Sequence, residues 1–265
     1  MVRTFILTSC ERGIASLALP ELAATPGVEV VAVVRSRGEL TPRQRRRRRI
    51  KTLRKTLAIG PLGAINGIRM RRWYGADLDR LLRLPTIEEA CAERGVPLVS
   101  VPSVGHPETV AAVSSLGADL GLSLGNGYIG PKVFMIPRLG MLNIHHEILP
   151  RFRGAQSVIW QIYHGSRETG FTIHRIDQGI DTGAVVYQET VPITFAPTLG
   201  ETVTRTLADV FVRSVRALCR VVAEAETVIP AARVQSGGEH YTTPTFRQFL
   251  RMKREHARLC RDLAG

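Results

Sequence analysis

From its amino end the chain alternates short apolar runs with segments whose apolar positions recur every three to four residues. "RTFILTS" reads as a buried strand and "GIASLALPELA" after it as a helix. "VEVVAVV", Val28 to Val34, is a second strand, rich in β-branched residues as strands covered on both faces are. "TIEEACAERG" predicts a helix with Thr86 as N-cap and Gly95 as stop. "VPLVSVP" is a third strand, "HPETVAAVSSLG" a helix ending on Gly117, and "ADLGLSLGN" a fourth strand. "PKVFMIPRLG" gives a short helical turn, "MLNIH" a fifth strand and "AQSVIWQIYHG" a helix. Two further strands follow in "TGFTIHRI" and "GAVVYQETVPI". A long helix starts at Thr198, then comes a loose "VIPAARVQSGGEHYTTPT" and a final basic helix, "FRQFLRMKREHARLCRDL".

Strand alternating with helix over most of the chain predicts an α/β fold, a doubly wound, mostly parallel sheet with a short helical C-terminal segment. The expected division is a core at 1–205, carrying a basic insertion at about 40–75, and a C-terminal segment at 206–265. Hydrophobic residues make up 44% of the 265, which excludes a disordered chain and allows a substantial core. Cys10, Cys91, Cys219 and Cys260 are scattered without a CxxC pair, the pattern of reduced thiols in a cytoplasmic protein. The first apolar run is only Phe5 to Leu7 and charged Glu11 and Arg12 follow, so a strand and turn are expected rather than a leader. No apolar stretch approaches the length of a membrane span.

Charge changes the picture more. The net charge of +13 is concentrated in "RQRRRRRIKTLRK", Arg43 to Lys55, with nine basic residues and no acid. Either a polyanionic partner (RNA, anionic lipid or a phosphorylated metabolite) or a solvated insertion accounts for it. "LAIGPLGAINGIRMRRWYG" mixes apolar and basic residues, as a membrane-surface helix would. Its Gly and Pro residues, however, predict a poor helix.

Candidate chemistry begins at "GNGYIG", Gly125 to Gly130, a literal GxGxxG after a strand. Pro131 and Pro137 leave little helix to hold a pyrophosphate, and the unit follows the fourth strand rather than the first. A flexible loop whose backbone lines a pocket for a flat heterocycle is the better expectation. Asn143 and His145 end the fifth strand, where ligands sit in such sheets. A later loop, "IDQGIDTG", holds Asp177, Gly179, Asp181 and Gly183. An amide NH₂ and an imidazole N–H could converge on one developing oxyanion. A carboxylate beside them could favour the charged imidazole and take a proton from an attacking amine. Those parts suit transfer of a one-carbon acyl group between two nitrogens through a tetrahedral intermediate. His146 and Glu147 follow His145 but offer no HExxH spacing, so no metal is expected. His174 is expected to be a structural hydrogen-bonding residue, and Trp160 and Tyr163 to be packing residues. Arg151 and Arg153 are read either as contacts to a phosphate or glutamate tail or as solvated loop charges.

"NIHHEILPRFRGAQ…TGFTIHRIDQGIDTGAVV" closely resembles the folate-dependent formyltransferases, the family of glycinamide ribonucleotide, methionyl-tRNA and nucleotide-sugar N-formyltransferases. Matching positions are Asn143, His145, Leu149, Pro150, Gly154, Thr169, Gly170, Thr172, His174, Asp181 and Gly183. The resemblance spans roughly 1–205 and implies a Rossmann-like core with 10-formyltetrahydrofolate as co-substrate and a small-molecule amine as acceptor, an amino sugar first. Asn143, His145 and Asp181 take the catalytic places. Leu124, Gly125, Asn126, Gly127, Tyr128 and Ile129 would line the pterin pocket, with Glu147, Ile148, Leu149, Pro150, Asp177 and Gly179. His146-Glu147 departs from the family's usual Pro-Ser, and the Arg-rich insertion is absent from its plain pattern. Methionyl-tRNA is the alternative acceptor, less favoured because only about 60 residues follow the core where the tRNA enzymes carry a further RNA-binding domain. Deformylation of the folate by water is another alternative. Peripheral membrane contact and a homodimer stay open.

Overall fold

The computed structural model describes residues 1–154 and 156–264. In chain order the elements are β1 (Val2–Thr8), α1 (Ile14–Ala23), β2 (Val28–Ser36), α2 (Pro42–Tyr74), α3 (Ala76–Leu82), α4 (Ile87–Arg94), β3 (Leu98–Val101), α5 (Pro107–Ser115), β4 (Leu120–Ser123), α6 (Pro131–Phe134) and β5 (Met141–His145). They continue with β6 (Phe152–Gly154), α7 (Ile159–Tyr163), β7 (Glu168–Arg175), β8 (Val185–Pro192), α8 (Leu199–Ala223), α9 (Ala225–Val228), β9 (Glu239–Tyr241) and α10 (Phe246–Ala264).

Seven strands form one sheet in the order β3-β2-β1-β4-β5-β7-β8. The first five are parallel, while β5 with β7 and β7 with β8 are antiparallel. The sheet is therefore Rossmann-like and mostly parallel, and its winding reverses between β1 and β4, the crevice where such sheets bind ligands. Both faces are apolar because both are covered. Ile6, Leu142 and Ile144 pack with α1, α4 and α8, whereas Phe5, Leu7 and Met141 pack with α5 and α6.

Several boundaries coincide with the capping signals. Thr86 accepts from the Glu89 N–H at 3.1 Å to start α4, and Gly95 ends it with φ 63°. Thr198 caps α8 in the same way. Other elements differ from expectation. The stretch 57–75, expected to be a poor helix, falls almost wholly in α2, which is helical on both sides of one non-helical residue, Gly60 (φ 74°). Gly60 takes the left-handed turn, and Pro61 then opens the second stretch, where its missing N–H leaves no bond unmade. The helix expected from "AQSVIWQIYHG" shortens to Ile159–Tyr163, and Ala155 lies outside the described residues.

The division expected at 205/206 falls inside α8, a single 25-residue helix. Leu207, Phe211 and Leu218 of that helix belong to the main core. Beyond it, Met252 and Leu259 of α10 share a second cluster with Met70, Trp160 and Ile162. The loose stretch after α9 contains β9, which pairs in parallel with β6.

Candidate functional site

On β5, Met141, Asn143 and His145 face one side of the sheet and Leu142 and Ile144 the other. β7 runs antiparallel beside it, placing His174 opposite Asn143 and Thr172 opposite His145. Two period-2 patterns, Asn-x-His and Thr-x-His, thus bring four polar side chains to one patch at the strand ends.

Each has a distinct task. The Asn143 amide donates to His174 Nε2 at 3.2 Å, and His174 Nδ1–H donates to the Arg175 carbonyl at 2.8 Å. Desolvation holds the His174 imidazole below its usual pKa, which favours the neutral ring these two bonds require. His174 therefore orients Asn143 and leaves its second amide N–H for the cavity. His145 Nε2–H donates to the Phe152 carbonyl at 2.8 Å, so Nδ1 is the ring nitrogen left for a ligand. Thr172 donates to the Glu147 carbonyl at 2.7 Å and accepts from the Leu149 N–H at 3.1 Å, pinning the loop after β5.

Asp181 lies between the two imidazoles. Its carboxylate is 3.7 Å from His145 Nδ1 and 3.8 Å from His174 Nε2, and it accepts from the Gly154 N–H at 3.4 Å. The backbone there is left-handed, φ 54°, and a side chain at Gly183 would overlap the Arg175 carbonyl. Asp177 shapes the same loop by accepting from the Gly179 N–H at 3.0 Å and the Thr182 hydroxyl at 2.6 Å.

These groups surround a cavity of about 460 Å³ lined also by Gly125, Asn126, Gly127, Tyr128, Ile129, Ile176, Asp177, Gly179 and Ile180. That volume falls within the usual range of small-molecule sites. Asn126 anchors the glycine loop through Ser123 Oγ (3.2 Å) and the Leu7 carbonyl, so the wall at Gly125 and Gly127 is main chain. A larger cleft of about 780 Å³ lies between α2, α3 and α8, and it holds none of the groups above. Chemistry rather than size marks the smaller one.

Of the expected pocket residues, Leu124, Glu147, Ile148, Leu149 and Pro150 do not line this cavity. Leu124 and Leu149 point into the core, each about 1% exposed. Arg151 lies over the Phe152 ring and Arg153 donates to Gln235 Oε1 at 3.4 Å, so neither reaches the cavity. Among the described residues no His, Cys, Asp and Glu cluster is arranged to hold a metal. His146 also borders the cavity, but its ring stacks on Phe211 of α8, centroids 4.4 Å apart, where desolvation lowers its pKa to about 3.

Glu147 is buried, accepting from the Val158 N–H at 3.1 Å and from the Gln161 amide. Desolvation holds its carboxyl well above the usual carboxylate range, with the Val158 bond acting against it. Among the described residues Gln161 Oε1 is buried without a partner, so turning the Gln161 amide over would let it accept the proton of a neutral Glu147. A raised carboxyl contributes stability in full below the unfolded pKa, about 4.3, and loses it as pH rises through the folded value. Glu147→Gln keeps the bonds and cannot ionise. Its melting temperature is expected to exceed the parent's at and above about pH 7 and to converge with it near about pH 4. Equal or lower melting temperatures throughout contradict this reading.

Sequence reasoning missed Gln235. Its amide donates to the Asp181 carbonyl at 3.1 Å and the Gly183 carbonyl at 2.7 Å, tying the C-terminal stretch to the Asp181 loop. Nearby, Arg233 bridges to Val185 and β9 bonds β6. No motif signals this, because the contact joins residues 52 and 54 positions apart.

Residues 84–215 match the family described as formyl transferase. The methionyl-tRNA formyltransferase of Sorangium cellulosum is 41% identical over 113 residues, 42% of this chain and 36% of that protein. That of Syntrophus aciditrophicus is 33% identical over 138 residues, 51% of this chain and 44% of that protein. The chain thus spans well under half the length of these curated relatives. Among solved structures, glycinamide ribonucleotide transformylase 1 from Symbiobacterium toebii has the same fold, with a TM-score of 0.57 at 19% identity over 89% of this chain and 95% of that one. A sugar N-formyltransferase from Shewanella sp. gives 0.56 at 15% identity over 96% and 88%.

Proposed function

Because the chain belongs to the formyl transferase family, we propose that it moves a formyl group from 10-formyltetrahydrofolate to a primary amine of a small metabolite, an amino sugar in the first instance. The observation that carries this reading is the meeting of Asn143 and His145, from one strand, with Asp181, from a later loop, around one cavity. The main-chain wall at Gly125 and Gly127 and the Asp177–Ile180 loop suit a flat pteridine. The neutral amine attacks the formyl carbon, and the carbonyl oxygen becomes an oxyanion. The free Asn143 N–H and, in the imidazolium form that carries protons on both ring nitrogens, His145 Nδ1–H hold that oxyanion. Asp181 takes the amine proton, directly or through water, and balances charge on the imidazole beside it. Collapse breaks the bond to N10, which takes up the proton that Asp181 accepted, directly or through water, and releases tetrahydrofolate. The catalytic core is read as running through α8, and the stretch that follows as the segment that closes its loops.

A screen of amines for folate-dependent gain of one formyl mass tests the reading. Gain on an amino sugar is the expected result, and no gain on any amine would overturn it. Methionyl-tRNA is the second reading, favoured by the names of the matched relatives and by the arginines of α2. It requires formylated methionyl-tRNA as product and steeply salt-dependent binding that vanishes when Arg45 to Arg49 are neutralised. Formate released without any amine would instead indicate hydrolysis of the folate.

Gln235→Ala frees the Asp181 loop while leaving the core intact. An expected fall in kcat of about tenfold, with an unchanged melting temperature, distinguishes positioning from folding. Unchanged kcat would remove Gln235 from this role.

A further inference from the structure

We infer that α2 is a docking helix for an anionic lipid bilayer. Charge is the first ground. The helix holds twelve basic residues and no acid, whereas the rest of the chain carries twenty-four basic against twenty-three acidic side chains. Nearly the whole net charge therefore sits on one helix. Exposure is the second. Arg43 to Arg54 are all exposed, so this half of α2 stands clear of the body. Ile50, Leu53 and Leu57 share one face at helical spacing and are 43%, 61% and 73% exposed. Past the kink, Leu62, Ile65 and Ile68 are 52%, 52% and 62% exposed.

These aliphatics are not waiting for the protein's own core. The inward face of the second stretch is already used, with Gly63, Asn66 and Met70 buried and Gly63 and Gly67 close against Pro244 and Thr243. A polyanion such as RNA would satisfy the arginines but leave six aliphatic side chains in water. A second copy of the helix would set twelve positive charges against twelve. A bilayer satisfies both features, since headgroup phosphates meet the guanidinium groups while Leu and Ile enter the acyl boundary. Arginine stems beside the stripe extend their charged ends back to the headgroups. Attachment is peripheral, because among the described residues no helix is long and apolar enough to cross a membrane. The helix ends at Tyr74, whose hydroxyl donates to the Ser157 carbonyl at 2.8 Å, and Ser157 lines the candidate cavity. Docking therefore ties the bilayer to the site through packed structure.

Flotation of the full chain with vesicles tests this at physiological ionic strength. Phosphatidylcholine containing about 30% phosphatidylglycerol is expected to carry the protein, and phosphatidylcholine alone is not. The double variant Leu53→Glu, Leu57→Glu should bind the anionic vesicles about tenfold more weakly or worse. Its melting temperature should be unchanged, since both side chains are exposed. Replacing Arg45 to Arg49 with Gln should also release the vesicles. Undiminished vesicle binding by the Leu variant would overturn the inference. So would tRNA binding tighter than vesicle binding that depends on the arginines and ignores the leucines.

Discussion

Replacing Asp181 with Asn is expected to lower kcat about 10³-fold while the fold and folate affinity hold. The substitution is a clean one. Asn keeps the side-chain shape, tolerates the left-handed φ of 54° and can still accept from the Gly154 N–H. Only the negative charge disappears. The attacking amine then loses the group that takes its proton, and the His145 ring loses the counter-charge 3.7 Å from Nδ1. Positioned acid–base groups typically contribute about 10²–10⁴-fold, which sets the size of the effect. The cavity wall at Gly125 to Ile129 is untouched, so KM for the folate should move little. Steady-state kinetics beside a melting curve decide it, and an Asn variant within a few-fold of the parent removes Asp181 from the mechanism.

His145→Ala should lower kcat by about 10²–10³-fold, the usual cost of losing one oxyanion donor. Stability also falls, because the buried imidazole leaves the Phe152 carbonyl without its 2.8 Å partner. A kcat loss at a temperature well below the variant's own melting point separates the two effects. His146→Ala is the internal comparison. Although His146 borders the cavity, its ring is engaged with Phe211 rather than with Asp181, so its loss should act mainly on stability and cost kcat far less than His145→Ala. Similar kcat losses in both variants would contradict the assignment of the reacting face.

Much of this arrangement was legible in the chain because it follows short-range rules. Uninterrupted apolar runs gave the central strands, Thr86, Gly95 and Thr198 marked helix ends, and Asn143 and His145 stood two apart at a strand end. The resemblance brought in Asp181, which no local pattern ties to His145. What stayed hidden depends on distant pairing. The antiparallel register that sets Asn143 beside His174 joins segments 31 residues apart. β6 and β9 are three residues each, too short for any periodicity, yet they fasten the C-terminal stretch beside the site. The helical course of 57–74 stayed hidden because Gly60-Pro61 reads as a break, although at the junction of two helical stretches it costs little. The "EILP" residues were placed in the pocket by analogy, but Thr172 and Gln161 hold that loop so that Glu147 and Leu149 turn inward.

The most direct measurement supplies 10-formyltetrahydrofolate labelled with ¹³C in the formyl group, together with an amino sugar, and follows both products by mass spectrometry. Labelled N-formyl sugar in step with tetrahydrofolate is the predicted result for the parent chain, with both products forming about 10³-fold more slowly from Asp181→Asn. Label appearing only as formate, or label reaching the sugar equally with Asp181→Asn, would contradict it.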